Sequence, residues 1–308
     1  MATGTGRLST AAPNLQSLPK VSDVRMSELK NSVERLGDKG VAVRRAFVCG
    51  AGHCMVSVDY RQIEMRIFAH CSHDPQLSVL FHQQGKSDIY SVIAAYILGK
   101  EQSDVSKQER DQAKVITLVS MYEWSNRQGL CYGMGVDSMA RKLNITMETA
   151  TKLRTGILTR FSGLQRFIDS TMQSARAKHY VETLAGRRRS LEANMGEDKT
   201  RSDRQAVNSV IQGSAADLLK CAMILLWPQL EKLGCEICVQ IHDELIIDCP
   251  DDPDLVKQVV EMLQRVMCDE AKKELQRLYR LNHPEVTYEF EVPLEQSVQI
   301  GKNMSFSE

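Results

Sequence analysis

Val56-Ser57-Val58-Asp59-Tyr60 and Val239-Gln240-Ile241-His242-Asp243-Glu244 stand far apart in the chain but share one pattern. In each, carboxylates follow directly on an alternating β-branched run, so the pleat carries a strand out of a core and leaves charge at its tip. Taken singly, each run also fits an ordinary strand end or a solvated hairpin turn, where acidic residues are common. Taken together they suit magnesium, which prefers carboxylate oxygens, keeps several waters and shares its remaining positions with substrate phosphates. Carboxylates on separate strands would hold two ions about 3.5–4 Å apart, clamping the attacking and leaving oxygens of an in-line phosphoryl displacement. The chemistry predicted from these runs is metal-assisted phosphoryl transfer.

At 308 residues the chain is long enough for one large or two modest domains. Its 39 basic and 39 acidic residues balance, so no global positive field announces a nucleic-acid partner and any such binding must come from local clusters. No apolar stretch reads as the ~20 residues that cross a bilayer, and Met1-Ala2-Thr3-Gly4 resembles neither a signal nor a transit peptide. The expectation is a soluble, intracellular protein with no membrane partner. Nine cysteines, mostly inside apolar runs, read as free thiols in a reducing compartment. Cys235-Glu236-Ile237-Cys238 has metal-ligand spacing but no matching second pair.

Working outward, a short helix is predicted from Val24 to Leu36, ending at Gly37, and a strand runs into Asp59. Ile63, Ile67 and Ala69 to Cys71 suit an amphipathic helix with Gln62, Glu64 and Arg66 on its other faces. Ser106-Lys107-Gln108-Glu109 is a capping box. On the helix it starts, Arg110 and Lys114 lie four residues apart and share a face, where both reach the same polyphosphate or simply solvent. Thr183 to Arg189 reads as a hairpin with a basic tip suited to phosphate contact. Arg201, Arg204, Asn208 and Gln212 form a polar stripe on a helix whose other face carries Val207, Ile211, Ala215 and Leu218. Such a stripe is either the wet side or a set of contacts to phosphates and minor-groove base edges. From Asp252-Pro253 a long amphipathic helix is predicted through Leu278, and an alternating strand closes the chain from Val286 to Val298. The whole reads as a mixed α/β body with a helical insertion between the two acidic strands.

In this order the segments resemble family A DNA polymerases, the group of bacterial polymerase I, and within it the eukaryotic theta and nu type. The motifs are TGRLS-x3-PNLQ (Thr5 to Gln16), DYxQIEMR (Asp59 to Arg66), RDQAK (Arg110 to Lys114), CYGMG (Cys131 to Gly135), GRRR (Gly186 to Arg189), NSVIQGSAADLLK (Asn208 to Lys220) and QIHDEL (Gln240 to Leu245). The resemblance implies an α+β polymerase palm with an antiparallel sheet and an inserted helical fingers subdomain, without thumb or exonuclease domain. It divides the chain into palm (1–80), fingers (81–200) and palm again (201–308). It further implies that Asp59, Asp243 and the backbone carbonyl of Tyr60 bind two magnesium ions, with Glu244 beside them. Arg110 and Lys114 would grip the incoming deoxynucleoside triphosphate, Lys114 protonating the leaving pyrophosphate, with Gln62 and Tyr132 as further nucleotide contacts. Glu64 would be the steric gate against a ribose 2′-hydroxyl. Arg7, Arg204, Asn208, Gln212 and His242 would line the DNA primer-template.

The chain departs from the family pattern in places. After Arg110, Lys114 and Leu118, the expected Gly-x2-Tyr-Gly arrives only at Gly129 to Gly133, so Val119–Gln128 read as ten inserted residues. Continued as helix, they would add about 15 Å and leave Tyr132 roughly 80° from its expected azimuth. Tyr122 is the alternative family tyrosine, and a retained in-frame intron is one origin for the insert. Leu118 replaces an aromatic, Arg61 replaces the small serine after the motif tyrosine, and the terminal Trp-Gly is missing. The family's thumb precedes Thr5, so the chain is expected to be a truncated or partial gene product that needs that thumb to hold DNA tightly. The expected activity is DNA-directed DNA synthesis in repair or lesion bypass. The alternative is a catalytically impaired polymerase-like DNA-binding protein. The nucleus is the expected compartment, with a mitochondrion or other organelle as the alternative.

Overall fold

The computed structural model describes residues 3–11, 14–18, 43–82, 88–122, 136, 140–141, 143–191, 199–286 and 288–306, without the side chains at 118–122, 199–201 and 204. In chain order the strands are β1 (His53–Tyr60), β2 (Tyr180–Glu182), β3 (Arg188–Ser190), β4 (Glu236–Ile241), β5 (Glu244–Pro250) and β6 (Gln296–Gly301). The main helices are α1 (Ile63–Ser72), α2 (Pro75–His82), α3 (Ile89–Leu98), α4 (Lys107–Tyr122), α5 (Met147–Arg160), α6 (Ser162–Lys178), α7 (Lys199–Lys232), α8 (Pro253–Arg265) and α9 (Ala271–Asn282). The predicted helix from Val24 to Leu36 lies outside the described residues.

The chain forms two compact units. The first takes Met1–Ile63, Ala215–Arg277 and Leu294–Glu308. Its sheet has the order β4-β5-β1-β6, antiparallel at every pairing. Alternation along β1 sends Met55, Ser57 and Asp59 to one face and Val56, Val58 and Tyr60 to the other. Met55 joins Ile241, Ile246 and Met304 in an apolar cluster, while α8 packs against β1 and β5. Asp252 caps α8 by accepting the Leu255 N–H at 2.8 Å, Pro253 occupies its first turn, and Val256, Val259 and Leu263 are buried. Each such side chain contributes about 1.5–3 kcal/mol.

The long helix predicted after Asp252 is interrupted by a π-turn, Val266–Glu270, in which the Ala271 N–H reaches back to Val266 O. The extra residue keeps Met267, Ala271 and Leu275 buried in line with the apolar stripe of α8. Tyr60 Oη donates to Met267 O of this turn at 2.8 Å, tying β1 to the helix layer.

The second unit takes Glu64–Ser214 and Leu278–Pro293. The predicted capping box forms: Ser106 Oγ accepts the Glu109 N–H at 3.2 Å while Glu109 Oε2 accepts the Ser106 N–H at 2.9 Å. Asp74 accepts the Gln76 and Leu77 N–H groups at the start of α2 and also the Gly163 N–H at 2.8 Å. A Cβ at Gly163 would stand 2.7 Å from Asp74 Cβ, so the close approach of α6 to Asp74 requires glycine.

Several expectations need correction. The closing strand is Gln296–Gly301, not Val286 to Val298; the alternating segment before it belongs to the second unit, where Phe290 stacks on His70 at 4.5 Å. Arg66 is not on a polar face: it is buried, donates to Pro293 O and lies 4.7 Å above the Phe81 ring centroid. The Thr183 to Arg189 hairpin exists, but its arginines are engaged internally. Arg188 pairs with Glu182 at 2.6 Å, Arg189 donates to Ser209 Oγ at 2.6 Å and Arg187 to Gly213 O at 3.4 Å. The stretch 205–232 of α7 is long and apolar enough to cross a membrane, against the composition reading, yet its most apolar window is 72% buried inside the protein, as befits a core helix. The two compact units divide the chain after 63, 214, 277 and 293, a division by contacts that is separate from the motif-based one at 80 and 200.

Burial, then the neighbouring His73, push His70 down from 6.5 to about 4 despite Glu291. The folded protein therefore resists a proton that the unfolded chain accepts, and stability falls as pH drops from 6.5 toward 4, by at most about 3 kcal/mol. We expect His70→Phe to flatten the pH dependence of urea unfolding over that window; an unchanged profile would exclude His70 as its source.

Candidate active site

The first cluster is built by strand register. Asp59 is directly opposite Glu244 on β5 and Ser297 on β6. A two-residue turn, His242-Asp243, joins β4 to β5, with Ile241 opposite Glu244. So tight a turn needs positive φ, and His242 supplies it at 56°. The Tyr60 N–H reaches Asp243 O at 3.4 Å, so the turn is tied to the end of β1.

The carboxylates differ in setting. Glu244 is buried and accepts the Ser57 hydroxyl proton at 2.5 Å, which turns it into the sheet face. Asp59 is half-buried at the strand end. Asp243 faces the Arg7 guanidinium at 3.7 Å. Arg7 is positioned by the loop before it, whose Gly6 carbonyl accepts Lys220 Nζ of α7 at 2.6 Å. Gln62 sits at φ 55° in the turn from β1 into α1. Burial, and after it Cys268, Cys221 and Asp243, push the Tyr60 phenol well above its ordinary range, so its hydroxyl stays a donor.

Sequence reasoning missed the residues that hold this turn. Gln16 Nε2 lies 3.1 Å from Leu8 O, 3.3 Å from Gln240 O and 3.0 Å from Gln240 Oε1. Gln240 Nε2 in turn donates to His242 O. Gln16 and Gln240 both stand in quoted motifs, which was the available signal, but only the fold brings them together.

The second cluster lies in the second unit. Arg110 Nε and Nη2 grip the two Asp88 oxygens at 2.9 and 3.0 Å, and Nη1 meets Asp111 at 2.9 Å. Hydrogen bonding to Asp88 raises the Arg110 pKa above its ordinary value. Arg110 and Lys114 do share a face: both lie over the Tyr90 ring, 5.7 and 6.0 Å from its centroid. Burial, followed by the charges of Glu64 and Asp88, raises the Tyr90 phenol. Asp88 and Tyr90 were not singled out in the sequence. An aspartate before Ile89 reads as a helix cap, which it also is.

Asn208 and Gln212 lie on one side of α7, both half-buried, and Asn208 Oδ1 is a buried acceptor with no hydrogen-bond donor among the described residues. The Arg204 side chain and Tyr132 lie outside the described residues. Helix α4 continues through Tyr122, four residues into the Val119–Gln128 insert; the remainder of the insert is outside the description.

Among the described residues no three His, Cys, Asp or Glu side chains close a metal cage. The donors at the first cluster are hard carboxylate oxygens on an open strand end, which fits magnesium sharing its positions with phosphate and water.

A sheet end carrying paired carboxylates, in a chain that also holds Arg110 and Lys114 over one tyrosine ring, is the arrangement the sequence led us to expect of a phosphoryl-transfer protein. The sequence profile of DNA polymerase family A matches residues 1–305, and the protein belongs to that family. DNA polymerase I of Thermus aquaticus is 34% identical over 305 residues, covering 98% of this chain and 31% of that protein. DNA polymerase I of Chloroflexus aurantiacus is 35% identical over 303 residues, covering 97% and 27%. The polymerase domain of Pol1 from M. smegmatis, solved in complex with DNA primer-template and dNTP, superposes with a TM-score of 0.77 at 29% identity, over 99% of this chain and 47% of that one. The chain thus spans about a third of the length of these curated relatives.

Removing the Ser57 hydroxyl leaves a buried carboxylate without its donor. We expect Ser57→Ala to cost about 1–3 kcal/mol in urea unfolding, and under about 0.5 kcal/mol in a Glu244→Ala background. Equal costs in both backgrounds would mean the bond contributes nothing.

Proposed function

We propose that this chain is a catalytic region for template-directed DNA synthesis, joining a deoxynucleotide to a primer by attack of the 3′-hydroxyl on the α-phosphate. The observation that carries the reading is the fixed juxtaposition of Asp59 and the His242-Asp243 turn at one end of the sheet, with Glu244 drawn into the core by Ser57. Asp59, Asp243 and the Tyr60 carbonyl would hold two magnesium ions, whose chemistry when bound is to stabilise charge on the attacking and leaving oxygens. Glu244 is better placed to brace that end than to ligate.

Arg110 and Lys114 bind the triphosphate in this reading. Asp88 fixes the guanidinium plane and Tyr90 supports both cations, so the pair is held ready rather than ordered at each encounter. Lys114 Nζ delivers a proton to the leaving pyrophosphate. Glu64 excludes a 2′-hydroxyl, and Gln62 and Tyr132 complete the nucleotide contacts. Arg7, Arg204, Asn208, Gln212 and His242 track the primer-template, with Asn208 Oδ1 an acceptor left over for a minor-groove donor. Service in repair or lesion bypass rests on the theta and nu resemblance alone.

One observation favours a second reading, a polymerase-like DNA binder with impaired catalysis. Helix α4 runs on through Tyr122, four residues into the insert that separates Lys114 from Tyr132 in the sequence.

Primer extension at low salt with magnesium and four deoxynucleotides separates the two. We expect extension by the chain, or by a version lacking Val119–Gln128, and a loss of at least about a hundredfold with Asp243→Ala. Extension by the deletion version alone assigns the insert an inhibitory effect. No extension by either, with duplex binding retained, would replace the first reading by the second.

A further inference from the structure

Arg61 stands in the turn immediately after the metal-binding end of β1 and has no part in the function described so far. It lies two residues past Asp59, so their Cα atoms are within about 7 Å. Its backbone is fixed: the Arg61 N–H donates to Glu295 O at 2.9 Å, and the following Gln62 adopts φ 55°. Its side chain is 57% exposed, and Nη1 faces Glu295 Oε2 at 3.9 Å. That separation is longer than a hydrogen bond, and exposed pairs of this kind contribute only about 0–1 kcal/mol. The exposed side chain thus leaves the turn that follows Asp59, with the Glu295 carboxylate as a neighbour at 3.9 Å.

We propose that Arg61 is a phosphate-binding residue, which exchanges the Glu295 carboxylate for a phosphate of the nucleic acid or nucleotide engaged at the Asp59–Asp243 end. A guanidinium presents paired N–H donors that match phosphate oxygens, and a phosphate beside bound cations is a stronger acceptor than a solvated glutamate. The inference rests on the polymerase reading for the presence of phosphate there. The chemistry is shared by two sources, the DNA backbone and the triphosphate of a free nucleotide.

The test uses the full chain, its Arg61→Ser variant and its Glu295→Gln variant. Binding of a labelled primer-template duplex is measured from 50 to 200 mM salt, and binding of a deoxynucleoside triphosphate in the presence of duplex is measured separately. If DNA is the source, Arg61→Ser lowers the slope of log affinity against log salt by about 0.9, and Glu295→Gln tightens duplex binding. If the nucleotide is the source, the duplex slope stays constant while Arg61→Ser weakens triphosphate binding about three- to tenfold, and Glu295→Gln strengthens it. Because Arg61 is exposed, thermal unfolding of Arg61→Ser should match the unaltered chain. Unchanged binding of both ligands by Arg61→Ser would overturn the proposal while leaving the polymerase reading intact. Failure of the unaltered chain to bind either ligand would overturn the polymerase reading and the proposal with it.

Discussion

The antiparallel register that sets Asp59 opposite Glu244 is the constraint on which the first unit depends. Side chains alternate with a period of two, so a slip of one residue would send Asp59 and Ser57 toward the helix layer and expose Val58. The register is held from both sides. Along one face of β1 the environment grades from apolar at Met55, through the Ser57–Glu244 bond, to the half-open Asp59. On the other face Tyr60 is anchored to Met267 of the π-turn, so the helix irregularity supplies an acceptor where the strand needs one. The two-residue turn then delivers Asp243 to the same end, and Gln16 and Gln240 secure it.

Three arginines around the candidate sites each lie against a carboxylate of the protein itself. Arg7 faces Asp243, Arg110 is gripped by Asp88, and Arg61 lies near Glu295. In a chain with 39 charges of each sign, phosphate binding as proposed would be an exchange of partners rather than the filling of a positive field. The net gain per contact is smaller than for an isolated arginine, and salt competes with it directly. Arg110 differs from the other two in being held by paired bonds and supported on Tyr90, which suits its proposed part in meeting a triphosphate in one orientation.

Much of this was legible in the sequence because it is local. Alternating runs ending in acid gave β1 and the β4–β5 turn, the Ser106–Glu109 box gave the start of α4, and the Val207, Ile211, Ala215 and Leu218 stripe gave the buried side of α7. What was not legible depends on long-range contact. Gln16 and Gln240 are 224 residues apart, and nothing in either neighbourhood marks them as partners. Arg66 reads as a solvated helix residue until Pro293 and Phe81 enclose it. Tyr288 to Val292 alternate as a strand would, which draws the sequence reading of the closing strand too early, yet Phe290 stacks on His70 and β6 begins only after Pro293. The π-turn adds one residue to a stripe that a simple 3.6-residue period already explained.

In the proposed polymerase the carboxylate end of the sheet is an open platform, complete only when phosphate oxygens join Asp59 and Asp243. Manganese binding followed by electron paramagnetic resonance tests it most directly, because it reports occupancy without requiring turnover. With primer-template present, we expect weak Mn2+ binding by the chain alone, much tighter binding once a deoxynucleoside triphosphate is added, and loss of that increment in Asp59→Ala. Mn2+ binding that is equally tight without the triphosphate, or an increment that survives Asp59→Ala, would contradict it.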